Sequence, residues 1–410
     1  DPLLLITAML PVGSAYGWAL LLLMQLLLLS FLVSGFLLSR KCSVIGASIG
    51  ATAVVFSAPL VTWMQMRTFT ATFISLFAAL WAWEANRTRP RVKIALCGLA
   101  LSYCALAGHA QFALYAWLIA PMYFLATSLR KDQIIQPFMH IIAIFTLALA
   151  IGSPSILMEV ELLQHTVRGE PNRYFSMFRF GLAPWLTLFT PDILGHPTNG
   201  DYFGKLIYYR SYTTLPVLYF GALPLTVIFL SIRRKLPGKR LFLYAPMVFL
   251  AILTIAGLKP VRLWLRDHFH GLFDMDPARA GMLASVFLAV WAGHGATYVF
   301  SRDFRCDCSG WKSVFMPFAG LGTILVMVAT LLTFFDSELN QLAPDNSLLL
   351  YFLKVQEKFS SILRAPFFLH MLLVFLLAAL VVLLSIRLPR KTHWITAGIV
   401  LVLFVDLMPW

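Results

Sequence analysis

Residues able to do chemistry are few in this chain and fall in a handful of places. Glu161 and His165 stand four apart, and Glu161 and Arg168 seven apart, spacings that put all three on one helical face. A Glu beside a His and an Arg can serve as a base, or the Arg can hold a phosphate while the Glu orients a hydroxyl. The same trio serves equally as a solvated ion-pair stripe. In Gly108-His109-Ala110-Gln111-Phe112 an imidazole and an amide flank a tight turn, able to bond a phosphate or a sugar hydroxyl, or simply to cap a helix. Tyr202, Tyr208, Tyr209 and Tyr212 follow a turn-rich run containing Gly195, Pro197, Asn199-Gly200 and Gly204. They suit stacking on sugar rings, and suit an interfacial aromatic belt as well. His268 and His270 with Asp267, Asp274 and Asp276 form the one cluster of metal-ligand types, where a divalent cation (Mg or Mn) could be held. Its spacing is not diagnostic, and on a helix the two histidines point apart. Cys306-Asp307-Cys308 has no second cysteine pair or nearby His, so it reads as reduced loop thiols.

The elements that must position these groups are apolar. Hydrophobic residues make up 60% of the 410 and charged residues 12%, with a mean hydropathy of +0.81, outside the range of soluble globular chains. Apolar runs of about 15 to 25 residues alternate with charged clusters, and about 20 residues cross a bilayer as a helix. The expected fold is all-α, a polytopic transmembrane helix bundle forming one domain. Twelve spans are expected near 15–39, 43–62, 69–85, 94–108, 112–129, 137–153, 215–232, 241–258, 280–300, 313–335, 366–386 and 392–410. One alternating set of connections, running from Arg40-Lys41 to Arg390-Lys391, carries 19 of the 32 Lys+Arg and four of the 18 acids. The positive-inside rule puts that set in the cytoplasm. The long connections near 154–214, 259–279 and 336–365 then lie outside. Most of the +14 net charge is this asymmetry, so no nucleic-acid partner is implied. The chain is expected to be an internal piece of a longer protein, lacking a first span and outer loop upstream and an outer domain downstream.

Within the spans, charge occurs only at the ends, at Glu84 and Asp406. An ion-coupled transporter keeps such a group at mid-membrane, so its absence counts against that class. Gly46 and Gly50, four apart, signal close helix packing. Pro154 opens the longest polar stretch, which is expected to continue its helix from Ile156 to Val167. Beyond it Tyr174, Phe175, Phe178, Phe180, Trp185 and Phe189, with Arg173 and Arg179, suit a short helix lying in the headgroup layer. The connection from Asp336 to Arg364 reads as an amphipathic surface helix.

Several short motifs, collinear over nearly the whole chain, carry a resemblance. Gly108-His109-Ala110-Gln111, Pro154 with Glu161-Leu-Leu-Gln-His-Thr-Val-Arg168, and Phe189-Thr-Pro191-Asp192 with Gly195 are three of them. Tyr219-Phe-Gly221-Ala-Leu-Pro224, Arg279-Ala-Gly-Met-Leu-Ala-Ser and Val405-Asp406-Leu407 complete the set. The chain resembles the YfhO family of bacterial membrane proteins, which is similar to the GT-C glycosyltransferases. The resemblance implies a transferase in the bacterial plasma (inner) membrane. It would move a sugar from a polyprenyl-phosphate donor to an envelope polymer or lipid acceptor on the extracytoplasmic face. His109, Gln111, Glu161, Arg168 and Arg279 would lie around its cavity, with Asp192 and Tyr202 contributing to substrate binding. Arg168 and Arg279 would neutralise the departing phosphate, and Glu161 is the acid available here. The main catalytic base of such enzymes is expected in a first outer loop, upstream of Asp1. The competing class is a non-catalytic binding protein or flippase for lipid-linked intermediates.

Overall fold

A computed structural model describes residues 14–64, 66, 68–86, 89–107, 110–128, 135–165, 183–189, 191, 217–232, 234–257, 261, 264, 268, 279–301, 366–387, 398–402 and 405–406. Among these, all regular structure is helical. In chain order the helices are α1 (Ser14–Ser39), α2 (Val44–Val55), α3 (Ala58–Trp63), α4 (Thr68–Ala85), α5 (Pro90–Leu106) and α6 (Ala110–Ser128). They continue with α7 (Ile135–Gln164), the four-residue α8 (Ala183–Leu186), α9 (Ala222–Ser231), a π-helical turn (Arg240–Tyr244) running into α10 (Ala245–Gly257), α11 (Ala280–Val299) and α12 (Pro366–Arg387). Three stretches, Tyr16–Ser39, Ile135–Leu162 and Ala280–Val299, are long and apolar enough to cross a membrane, and several shorter apolar helices accompany them.

The helix ends follow local chemistry, which moves several expected boundaries. The run expected as one span over 43–62 is two helices. Ser43 caps α2 by accepting from the Gly46 N–H at 3.1 Å. The break falls where the Ser57 hydroxyl turns back to the Val54 carbonyl (2.8 Å) and Pro59 starts α3. Over 215–232 the helix begins only at Ala222. Val217 to Phe220 are buried but not helical. Their backbone groups are satisfied from outside: Leu218 N–H donates to Thr187 Oγ1 (2.9 Å), and the Tyr219 carbonyl accepts from the Ala58 N–H (2.7 Å). Conversely α7 continues through Pro154, as the sequence led us to expect. Proline supplies no N–H to the Ala150 carbonyl, and the Ser153 hydroxyl donates there instead at 2.9 Å. The described helix runs to Gln164, with a turn at His165, and Val167 lies outside the described residues.

Packing depends on small residues, as expected where lipid provides little hydrophobic drive between helices. The Gly46/Gly50 face of α2 lies directly on α11. A Cβ at Gly46 would sit 2.1 Å from Thr297 Oγ1 and 2.5 Å from the Gly293 carbonyl oxygen. One at Gly50 would sit 3.1 Å from Gly293 Cα. Helix α11 is thereby enclosed, burying Trp291 completely among α1, α2, α9 and α10. Helix α7 is the opposite case. It packs on α5 alongside Gly98 and Ala105, while Met139, Ile142, Leu149, Leu157, Met158 and Leu162 face outward. So much exposed apolar surface on a long helix fits lipid rather than water.

Candidate functional site

Arg279 is the residue immediately before α11, at its N-cap. A cation there opposes the helix dipole, so its placement must be secured by other groups. Gln111, on the first turn of α6, does this with its carbonyl oxygen, which accepts from Arg279 Nη1 at 3.1 Å. Trp63, closing α3, offers its ring face to the guanidinium at 4.9 Å. Each support is itself held. The Gln111 amide nitrogen donates to the Tyr115 hydroxyl at 2.7 Å, which fixes the amide's orientation. The Trp63 ring meets Phe112 edge-on at 5.3 Å and Phe69 at 5.8 Å, and Phe69 meets Phe112 at 4.5 Å. Gln111 is only 6% exposed, whereas Arg279 is half-buried. A rigid cation with an aromatic floor and a helix N-terminus behind it can receive a phosphate or carboxylate.

Two of the residues expected to share a cavity, Gln111 and Arg279, are therefore in direct contact across 168 positions. Glu161 stands on the exposed side of α7. His165 is an exposed turn residue directly after the last residue of α7, its N–H donating to the Leu162 carbonyl at 3.2 Å. His109, Arg168, Asp192, Tyr202, His270, Asp274 and Asp276 lie outside the described residues. His268, the described member of the metal-type cluster, stacks on Trp264 at 4.9 Å, and its Nδ1 meets the Trp264 carbonyl at 2.9 Å. Among the described residues no three metal-ligand side chains converge.

A short helix is expected around Trp185, and one is seen over Ala183–Leu186, with Trp185 half-buried. Its indole N–H donates to Thr254 Oγ1 on α10 at 2.7 Å, and Thr187 and Leu188 beside it are buried. A Trp and a Thr whose polar atoms satisfy one another can enter a bundle at little cost.

Sequence reasoning passed over Trp63 and Tyr115 as site components. Nothing in their local sequence separates them from ordinary belt aromatics. It also left Asp406 without a partner. That carboxylate accepts from the Tyr219 hydroxyl and from the Ala222 N–H, the latter at 2.7 Å, at the start of α9. Gly221 makes the approach possible: its φ is +111°, and a Cβ would meet Asp406 Oδ2 at 3.1 Å.

The other end of the bundle holds a second polar group. Glu84 accepts from Tyr123 at 2.5 Å and from Arg40 at 3.2 Å. Cys42 Sγ lies 3.3 Å from His294 Nδ1, and burial pushes the Cys42 thiol up to about 11. Burial thus favours the protonated thiol at Cys42.

No family model, curated protein or solved structure matches this chain. Function therefore has to be argued from the residues and their geometry.

Proposed function

We propose that the chain is a membrane glycosyltransferase that moves a sugar from a polyprenyl-phosphate donor to an envelope polymer or lipid acceptor on the extracytoplasmic face. The observation that carries this reading is Arg279, held between the Gln111 oxygen at 3.1 Å and the Trp63 ring at 4.9 Å. Positive charge preorganised where a leaving phosphate develops its charge lowers the barrier without reorganisation. The reaction class is taken from the resemblance of short motifs to the YfhO family, itself similar to the GT-C glycosyltransferases, and no family model adds to it. In this reading Arg168 and His109 also bind the donor phosphate, and Asp192 and Tyr202 contribute to substrate binding. Twelve spans cross the bacterial plasma membrane, the basic connections are cytoplasmic, and the Arg279 end opens outward. A divalent cation, if used, is held by the His268–Asp276 region.

The test supplies the full-length protein with labelled polyprenyl-phosphate sugar and membranes. Arg279→Ala is expected to lower transfer by about a hundredfold or more. Arg279→Lys keeps the charge but loses the planar fork and much of the ring contact, so it falls between. Unchanged transfer in Arg279→Ala sinks the assignment.

One observation favours the second reading, a non-catalytic binding protein or transporter/flippase: Glu161, the acid available to the first, is exposed on α7. Wild-type protein that binds polyprenyl phosphate through Arg279 and transfers nothing, or that scrambles the lipid in liposomes without acceptor, identifies that class.

A further inference from the structure

At the end of the bundle remote from Arg279, the fold gathers cations that lie far apart in sequence. The α1–α2 turn brings Arg40 and Lys41. The segment from α9 to the π turn brings Arg234, Lys235, Lys239 and Arg240. These two pieces touch, for a Cβ on Gly238 would lie 3.6 Å from Arg40 Nη2. The last turn of α11 closes the group, with Arg234 over the Tyr298 ring at 5.6 Å and the Ser43 N–H donating to Thr297 Oγ1 at 3.1 Å. Among the described residues the one acid here is Glu84, whose side chain is 0% exposed and already bonded to Arg40 and Tyr123. Lys41, Arg234, Lys235 and Arg240 are exposed.

Two further observations give this charge a direction. Lys41 has φ +65° in a turn closed by Cys42 N–H to Leu37 O and Lys41 N–H to Leu38 O, a helix stop that normally uses glycine. A lysine kept in a left-handed conformation costs stability, which the structure tolerates while holding the ammonium outward. Below the cations runs an apolar stripe on a single helical face, Tyr244, Val248, Ile252 and Ile255, each between 47% and 58% exposed. Lys239 joins the two, with its ammonium 5.1 Å from the Tyr244 ring centre and bonded to the Ile232 carbonyl.

We infer that this surface binds an anionic glycerophospholipid. Lys41, Arg234, Lys235 and Arg240 take the headgroup phosphate, and the acyl chains lie along Tyr244–Ile255. A soluble anion would need the cations alone, whereas a continuous stripe of exposed apolar side chains running on from them fits an attached hydrocarbon chain. The site is at the opposite end from Arg279 and does not depend on the proposed transferase activity.

The test titrates the purified full-length protein, in a zwitterionic detergent, with dioleoylphosphatidylglycerol and separately with dioleoylphosphatidylcholine, reading thermal unfolding. The anionic lipid is expected to raise the midpoint saturably and the zwitterionic one not. Lys235→Gln/Arg240→Gln is expected to weaken the response at least about tenfold. Inorganic phosphate at matched ionic strength is expected not to reproduce it. Equal response to both lipids, an unchanged double variant, or full reproduction by phosphate overturns the inference. If the double variant does not fold, Lys41→Gly removes a cation at a position whose backbone favours glycine. It must lose affinity severalfold, and unchanged affinity overturns the inference equally.

Discussion

Arg279 and Gln111 meet at 3.1 Å between the starts of two different helices, α11 and α6. The contact makes the amide a positioning residue for the cation, and a single substitution separates that role from simple packing. Gln111→Glu keeps the size and the hydrogen bond but converts it to an ion pair that occupies Arg279. We expect polyprenyl-phosphate binding to fall about tenfold or more, with thermal stability unchanged or raised. A loss of stability parallel to the loss of binding would show that the amide matters only for packing.

The Arg40–Glu84–Tyr123 group makes a prediction about stability alone. Removing one partner of a buried pair leaves the other charge uncompensated. Glu84→Leu is expected to cost about 3 kcal/mol, and adding Arg40→Met to recover most of it. Denaturant unfolding in mixed micelles reads both values. A double variant no better than the single one would show that Glu84 acts mainly through Tyr123.

Contact between α2 and α11 is steric, and one methyl group probes it. Gly46→Ala places its Cβ against both Thr297 Oγ1 and the Gly293 carbonyl oxygen. A destabilisation of about 1–3 kcal/mol follows. Thr297→Ala in the same chain relieves the side-chain clash but not the backbone one, so it should restore only part of the loss. Unfolding midpoints of the three variants check this.

Asp406 and Tyr219, separated by 187 positions, are expected to be energetically coupled. In a double-mutant cycle of Asp406→Ala and Tyr219→Phe, the coupling should lie at about 1–3 kcal/mol. Asp406→Ala should be the more damaging single change, because it also strips the Ala222 N–H of its acceptor. A coupling near zero would mean that the carboxylate serves α9 alone.

Much of the architecture was legible from periodicity and punctuation. Helices stand where the apolar runs over 280–300 and 366–386 led us to expect them, as Ala280–Val299 and Pro366–Arg387, because an uninterrupted apolar run without breakers favours helix. Gly46/Gly50 announced a close helix contact, because a face without side chains has only close approach to offer, but not that its partner is α11. Boundaries were less legible where tertiary partners replace local ones. Val217 to Phe220 are as apolar as a helix, yet Thr187 and Ala58 satisfy their backbone, so the helix waits until Ala222.

By itself, the sequence pointed to an all-helical bundle with apolar surfaces, which the described residues bear out, and it led us to expect polar chemistry in the outer connections and where helices enter them. Both follow from composition and from the cost of unpaired polar groups away from water. It also marked Gln111 and Arg279 as residues worth watching. Only the tertiary structure decided that they touch, that Trp63 lies beneath the guanidinium, and that Asp406 is committed to Tyr219 and α9. Such pairings depend on how helices distant in sequence are rotated and stacked. That is set by the summed packing of glycine faces and aromatic side chains, and no local run of residues records it.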